Sequence, residues 1–522
     1  MFKIIDADVI VIGAGLSGLT AAYQLLEKEQ CLRVMVLESS KRMGGRLFQV
    51  PLSVRDGKSL MCFNIGGSWL SREQNIFLSF LEKLGISIVN SRTNPGKIIV
   101  EYDDNIHLLD SKCDIMNFLT FSEKVQLTKF ILKVEIICRN IRQKNEPNWF
   151  NELEKTRLKT FIQRSINSEG LLLIIDFMIF LYCGVDTSQV SALFYIFFCI
   201  STKGIINQLL NETKNLYEFK MKNSSKDICD ILADEIGREY ILKEQRVLEI
   251  SCKEKYVEVI TDEYSYCCFN VIVAVSPEDI LKIKFSPDLS KETHQSLTGM
   301  SSHPVTTFLV TYQKEFWQEK QLSGDIYIFD RFHRKGLIDF CWNISNLNMP
   351  VLYGRIFTSG AIPQNKQATD IYKERILEEL SEFLGEEASY PTDYYEKTWY
   401  GNSCQMFCGQ SGIIMNDEKR INDRIYWAGA ETSAEWYGQL AGAVNSGIKA
   451  ALEVLYDLRP SVLTTDDLIF LRPTQRSLKK SPREYESPIY SIMGYVANWK
   501  TYLPLSLLMI FVLWRIKLLI IN

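Results

Sequence analysis

Two rhythms of apolar and polar positions run along this chain, and the switch between them marks its first element. Val9 to Ile12 is an unbroken apolar run that stops at Gly13. From Leu16 the apolar positions take helical spacing, at Leu19, Ala22, Leu25 and Leu26, and a second run, Val34 to Leu37, ends at Glu38. Short apolar runs bounded by glycine read as buried strands, so the segment predicts strand, tight turn, helix, strand. From about 91 to 224 the chain is lysine-rich and helix-periodic, with a strongly apolar stretch from Leu171 to Ile200. Asp176, Gly184, Asp186 and Ser188 interrupt that stretch, which predicts buried helices rather than a membrane span. Lys226 to Glu263 returns to mixed character: a helix (ICDILADEIG), two alternating strands (QRVLEIS, YVEVIT) and, just beyond them, a buried strand (FNVIVAVSP). Thr298 to Glu396 shows two-period strands (TTFLVTY, DIYIFD) and then an amphipathic helix (TDIYKERILEELSEFLG). Arg424 to Ser433, RIYWAGAETS, reads as strand and glycine turn, and WYGQLAGAVNSGIKAALEVL as a helix opening after it.

Past Tyr456 the chain turns polar and then basic, with Arg472, Arg476, Lys479, Lys480 and Arg483, and finishes in an apolar tail. The uncharged core of that tail, Thr501 to Trp514, would span only about 21 Å as a helix, short of the roughly 30 Å of hydrocarbon. Extended back to Tyr495 it is long enough and includes only Lys500, which can snorkel, while Trp499, Tyr502 and Trp514 suit the interfaces. The tail is apolar nearly all round, so it is expected to span rather than lie flat.

Composition narrows the function classes. At 522 residues the chain exceeds one compact core, and its net charge of −4 argues against a nucleic-acid partner. Thirteen cysteines without a CxxC exclude a zinc ribbon and fit a reducing compartment, and four histidines without ligand spacing give no metal site. Asp6 and Asp8 interrupt the first apolar run, so it is a strand and not a signal peptide.

The chemistry is concentrated in the glycine turns. Gly13 turns the chain, Gly15 lets backbone approach a pyrophosphate, Gly18 lets the helix pack on the strand, and Glu38 stands where a dinucleotide fold needs an acceptor for ribose hydroxyls. Gly44, Gly45 and Arg46 add backbone amides and a guanidinium, and Gly66, Gly67 and Ser68, followed by Trp69, allow backbone to lie against a flat ligand. In this order and spacing, VIGAGLSGL, Glu38, GGR and IGGSWL resemble the flavin-containing amine oxidase family, monoamine oxidases in particular. The resemblance implies an α/β fold: a Rossmann-like FAD-binding domain built from three segments (1–90, 225–296 and 399–456), with an α+β substrate domain inserted as a helical part (91–224) and a sheet part (297–398). A polar and basic linker (457–490) and a C-terminal transmembrane helix (491–522) follow.

The same resemblance assigns residues. FAD contacts are expected at Gly13, Gly15, Ser17, Gly18, Glu38 and Ser39 in the first motif, at Gly45, Arg46, Gly66, Gly67 and Ser68 in the next two, and at Val247, whose backbone would meet the adenine. In the third segment they are Gly429 and Glu431 near the phosphates and Gln439, Leu440 and Ala441 at the flavin ring, where helix N-terminal amides could face the negative charge that develops on reduction. Trp399-Tyr400-Gly401-Asn402-Ser403-Cys404 resembles the motif in which a cysteine binds FAD as a thioether, with Cys408 as a competing candidate. Val190 to Phe194 resembles a wall of the substrate cavity.

Two departures stand out. The family's flavin-side lysine, ten residues before the tryptophan Trp317, is Thr307 here, and neither Thr306 nor His303 supplies a fixed charge. The family's two cage tyrosines are Gln405 and Gln439, with Tyr437 the nearby aromatic substitute; amides hydrogen-bond but offer no π-face. The expected activity is oxidation of an amine by O2 through FAD. A catalytically weak flavin-binding relative and a polyamine-type oxidase are the alternatives. Expected partners are a small amine, O2 and the mitochondrial outer membrane through the tail, with the body facing the cytosol; a homodimer is left open.

Overall fold

In the computed structural model, the described residues are 3–54, 57, 59–90, 94–102, 105–110, 119–142, 150–184, 186–202, 204, 219–221, 225–302, 304–330, 336–345, 349–356, 372–399, 404–406, 420–421 and 424–471. One compact unit runs to Thr464, and a second begins at Thr465, described only in its short helix Thr465–Leu471.

The central sheet of the first unit has six strands, in the order Ile241–Leu242, Val34–Leu37, Val9–Ile12, Asn270–Val273, Ile425–Trp427 and Arg420–Ile421. All neighbours are parallel except the last pair. Val9–Ile12 and Asn270–Val273 are buried along their whole length, which is why their sequences are continuous apolar runs without alternation. Against this sheet lie the helices Leu16–Lys28 and Leu440–Leu458. They cross at Gly447, where a Cβ would stand only 2.4 Å from the Ser17 carbonyl oxygen. A five-stranded sheet carries Val247–Cys252, and its interior residues Val247, Ile250 and Val259 share one core with Ile12 and Leu37.

A seven-stranded sheet runs in the order Asp393–Trp399, Val305–Thr311, Val351–Ile356, Ile338–Asn343, Leu322–Ile328, Lys97–Tyr102 and Asn105–Asp110. One face packs Phe308, Val310, Cys341 and Leu352 with Ile376 and Leu380 of the helix Lys373–Leu384. The opposite face packs Leu309, Val351 and Trp399 together with Val50, Leu52 and Ile65. The two outer strands, Lys97–Tyr102 and Asn105–Asp110, fall in the stretch whose sequence reads as helical. They are short, and their outer member exposes Ile106 and Leu108, so the two-residue alternation is too brief to outweigh the lysine-rich helices after it.

The apolar stretch from Leu171 to Ile200 forms two buried helices, as expected. Glu169–Cys183 is capped by Ser168, which accepts from Leu171 N, and ends at Gly184 in the left-handed region. Ala192–Ser201 is capped by Ser191, which accepts from Phe194 N. The basic linker and transmembrane tail expected beyond residue 471 lie outside the described residues, and among the described ones no helix is long and apolar enough to cross a membrane.

Candidate functional site

The first turn is closed on both sides and open in the middle. Gly13 has φ +103°, and a Cβ there would lie 2.7 Å from the Ala274 carbonyl oxygen; at Gly18 it would lie 2.0 Å from the Gly13 oxygen. A Cβ on Gly15 meets nothing within 4 Å. Gly15 is also the N-cap of Leu16–Lys28 and offers no side-chain cap, so the first amides of that helix face the open space, an arrangement suited to a phosphate. Ser17 is buried in the first turn of this helix. Gly44 N donates to the Ala14 carbonyl at 2.8 Å, which folds the GGR turn over Gly15, and Gly45 lies against it. Glu38 is held at the strand end: Oε2 accepts from Ala14 N at 2.9 Å, and Oε1 accepts from Ser40 N at 2.9 Å and Ser40 Oγ at 2.7 Å. The hydroxyl that orients Glu38 is therefore that of Ser40, with Ser39 exposed beside it.

Arg46 joins the first segment to the third. Its guanidinium grips the buried Glu431 carboxylate with two parallel bonds, Nη1 to Oε1 and Nη2 to Oε2, the second at 3.0 Å. Such a fork fixes orientation as well as position. Gly66 lies against the Arg46 carbonyl, and Ser68 Oγ donates to Gly66 O at 3.1 Å. Gly67 faces Leu440, with Cδ2 2.8 Å from where its Cβ would be. Gln439 is the N-cap of Leu440–Leu458 and makes no cap bond; its Oε1 accepts from the buried Gln74 Nε2 at 2.8 Å. Gly429 N donates to Ser446 Oγ at 3.0 Å, and Ala441 is buried just inside the helix. Both helices therefore begin without a side-chain cap, and Val247 is buried in the core shared with Ile12 and Leu37.

Across the seven-stranded sheet, Thr307 is paired with Lys397 on one side and Arg355 on the other, so the three share a face. Thr307 Oγ1 accepts from Trp399 Nε1 at 3.0 Å. Lys397 Nζ lies 4.4 Å from the Phe48 ring centroid and 4.9 Å from that of Trp399. Burial lowers the Lys397 ammonium's pKa, and the Arg42 charge adds to the effect. Thr306 Oγ1 is bonded to Thr398 Oγ1 at 2.8 Å. Tyr437 is buried, edge-on to Phe194 at 5.8 Å, at the start of the helical wall. Cys404 and Gln405 belong to the strand Cys404–Met406, in antiparallel register with Ser302 and Ser301. Cys408 and His303 lie outside the described residues.

Sequence reasoning missed a second constellation on the same face. Trp69 stands edge-on to Trp342 at 5.8 Å; Trp342 lies 4.4 Å from Phe340 and 6.2 Å from Tyr353. At one end of this aromatic row Arg355 pairs with Asp339 and covers the Phe180 ring at 3.9 Å. At the other end Lys220 lies 4.5 Å from the Trp69 centroid, with Asp325 close enough to favour its charge. Burial lowers the Lys220 pKa to about 8, against the opposing pull of Asp325. Burial likewise raises Asp325 to about 6, although hydrogen bonds from Asn343 N, Asn94 and Ser323 work the other way. The three-residue strand Phe219–Met221 carries no sequence signal strong enough to announce Lys220, whereas the alternation of Ile338–Asn343 could have flagged Phe340 and Trp342. Among the described residues no cluster of three metal-ligating side chains occurs.

The profile of the family described as flavin containing amine oxidoreductase matches residues 16–455. The amine oxidase [flavin-containing] of Oncorhynchus mykiss is 28% identical over 467 residues, covering 86% of this chain and 86% of its own. Two solved structures share the fold. One is a putrescine oxidase with putrescine bound, at TM-score 0.75 and 20% identity, covering 87% of this chain and 100% of that one. The other is the cyclohexylamine oxidase of Brevibacterium oxydans, at TM-score 0.74 and 22% identity, with the same coverage.

Proposed function

The chain belongs to the flavin containing amine oxidoreductase family and is an FAD-dependent amine oxidase, and we propose that it holds the cofactor in the opening over Gly15 between the two helix N-termini. When bound, FAD supplies the redox chemistry, accepting a hydride equivalent from the amine's α-carbon and returning the electrons to O2. Amine, O2 and water become aldehyde, ammonia and hydrogen peroxide. A flavin relative without catalysis and a dedicated polyamine enzyme are not favoured by these likenesses.

The observation that carries the cofactor assignment is the contrast among three glycines: protein fills the space beside Gly13 and Gly18 and leaves Gly15 open. Around that opening the free amides of Leu16–Lys28 and the Arg46 guanidinium meet the pyrophosphate, and Glu38 accepts from the ribose. The amides opening Leu440–Leu458, with Gln439, face the ring. Gly15 has φ −76° and ψ 176°, a conformation open to any residue, so Gly15→Val should fold. Its side chain would then stand in the pyrophosphate path. We expect a variant with near-native melting in the absence of flavin and strongly reduced 450 nm absorbance per protein; full flavin content would overturn the assignment.

Cys404 is assigned the covalent link, supported by its place after Trp399 in the family motif. A thiolate must reach the electron-poor edge of the flavin for the thioether to form. Acid precipitation should leave the yellow colour with the protein, and Cys404→Ala should release it. Release from the unmutated chain refutes the link, and loss only in Cys408→Ala moves it. Gln405 and Gln439 in place of two tyrosines lower the expected turnover of aryl-alkyl monoamines relative to more polar amines, because amides align a substrate by hydrogen bonds and not by ring faces. The apolar tail is assigned to the mitochondrial outer membrane, supported by its length and by the family resemblance.

A further inference from the structure

The substrate end of the site contains a cation that the reaction above does not use. Strand Phe219–Met221 pairs with Trp69–Leu70 in a register that sets Lys220 directly opposite Trp69, so both side chains leave the sheet on one face. The ring quadrupole holds the ammonium over Trp69 at 4.5 Å from its centroid. No described residue accepts a hydrogen bond from that ammonium, which leaves its donors open although burial disfavours its charge. Asp325 neutralises it at a distance, but its own carboxylate is already engaged: Oδ1 accepts from Asn343 N at 2.8 Å and from Asn94 Nδ2 at 3.4 Å. Lys220, Trp69, Asp325, Tyr327 and Tyr353 are each only half-buried.

Chain position ties Lys220 to the end assigned to the flavin ring. Trp69 is two residues past Gly67, which abuts Leu440 at the start of the helix assigned to the flavin ring. From Trp69 the wall continues through Trp342 to Phe340 and Tyr353, an apolar surface for the body of a substrate. A desolvated cation with vacant donors costs free energy unless a ligand completes it.

We propose that Lys220 is the receptor for a carboxylate at the far end of the substrate, so that the amine oxidised here is an amino acid with its amine and carboxylate at opposite ends of an apolar chain. The class rests on the amine-oxidase reading of the site. A terminal ammonium is disfavoured, since it would approach the uncovered Lys220 cation. A carboxylate finds open donors.

The test uses the full-length holoenzyme. Anaerobic flavin bleaching is followed with ω-amino acids of graded length and with the alkylamines and diamines of matching length. In parallel, hexanoate, which cannot be oxidised as an amine, is titrated against tryptophan fluorescence and the flavin spectrum. We expect at least about tenfold tighter binding of the ω-amino acid than of the alkylamine, as for a hydrogen bond to a charged group. Lys220→Met should abolish that preference and weaken hexanoate binding by the same factor, while Lys220→Arg should keep most of it. Lys220→Arg also controls for folding, together with the flavin content and melting of each variant. Diamines that outcompete ω-amino acids, or a preference that survives Lys220→Met, overturn the inference. If no amine bleaches the flavin yet hexanoate binds in a Lys220-dependent manner, the amine-oxidase reading falls and the receptor stands.

Discussion

Lys220 and Asp325 titrate toward one another. Burial brings the lysine from an ordinary value near 10.5 down to about 8 and lifts the carboxyl from 3.8 to about 6. Between these values both are charged. Burial and Asp325 are what shift the ammonium's titration, and the Trp69 ring lies against it. Hexanoate stays ionised through the same range, so its affinity should fall as pH rises through about 8, where Lys220 loses its charge. It should increase as pH drops through about 6, where Asp325 loses the charge that competes with the ligand. Titrations at pH 5.5, 7 and 9 check both signs, and a flat profile would contradict the assignment of Lys220. Thr307 makes a different point at the same scale. The Thr307 hydroxyl is committed to Trp399 Nε1, and a lysine placed there would stand directly across from Lys397. Like charges in directly opposed strand positions are destabilising, so the absence of lysine at 307 and the presence of Lys397 are one arrangement rather than two.

The two helices proposed to hold the cofactor pack against each other, and one residue sets their separation. Gly447 sits where Leu440–Leu458 crosses Leu16–Lys28; a Cβ would approach Ser17 O to 2.4 Å and Thr20 Cβ to 2.9 Å. Backbone cannot yield as a flexible side chain does. Gly447→Val should therefore cost about 1–3 kcal/mol in urea unfolding, as overpacking typically does. It should also lower flavin retention, because both N-termini would be displaced; unchanged stability and flavin would show that the helices are not in such close register. At this scale the sequence was legible wherever an element is long or fully buried: the Val9–Ile12 and Asn270–Val273 strands, the first helix, and the paired helices within Leu171–Ile200. It was illegible where partners are far apart in sequence. The hairpin Lys97–Tyr102 and Asn105–Asp110 gains its place only by pairing with Leu322–Ile328, and Lys220 only by pairing with Trp69. The glycine motifs were readable because their spacing is local, whereas the Arg46–Glu431 fork and the Gln74–Gln439 bond depend on residues that meet only in the fold.

At the scale of the whole molecule, the first compact unit runs to Thr464, and the basic and apolar stretches follow it in the sequence. Arg472, Arg476, Lys479, Lys480, Arg483 and Lys500 stand before or at the start of the apolar run and Arg515 and Lys517 toward its end, a balance that, for the proposed membrane tail, favours the body on the cytosolic side. Truncation before Ser491 should release the enzyme from membranes with its flavin retained; a truncated form that still resists alkaline extraction would locate the anchor elsewhere. The central sheet carries a further consequence, in the order of synthesis. Its strands begin at residues 9, 34, 241, 270, 420 and 425, and Ser446 Oγ accepts from Gly429 N. Pairings this distant are slow to close, and chains emerge from the ribosome N-terminus first. The Gly13–Gly18 turn is thus made early, but the helix that begins at Leu440 arrives hundreds of residues later. With the cofactor held as proposed, flavin loading waits on that arrival, and in the interval between translation of Gly15 and of Leu440 the newborn chain carries only half of the nucleotide site.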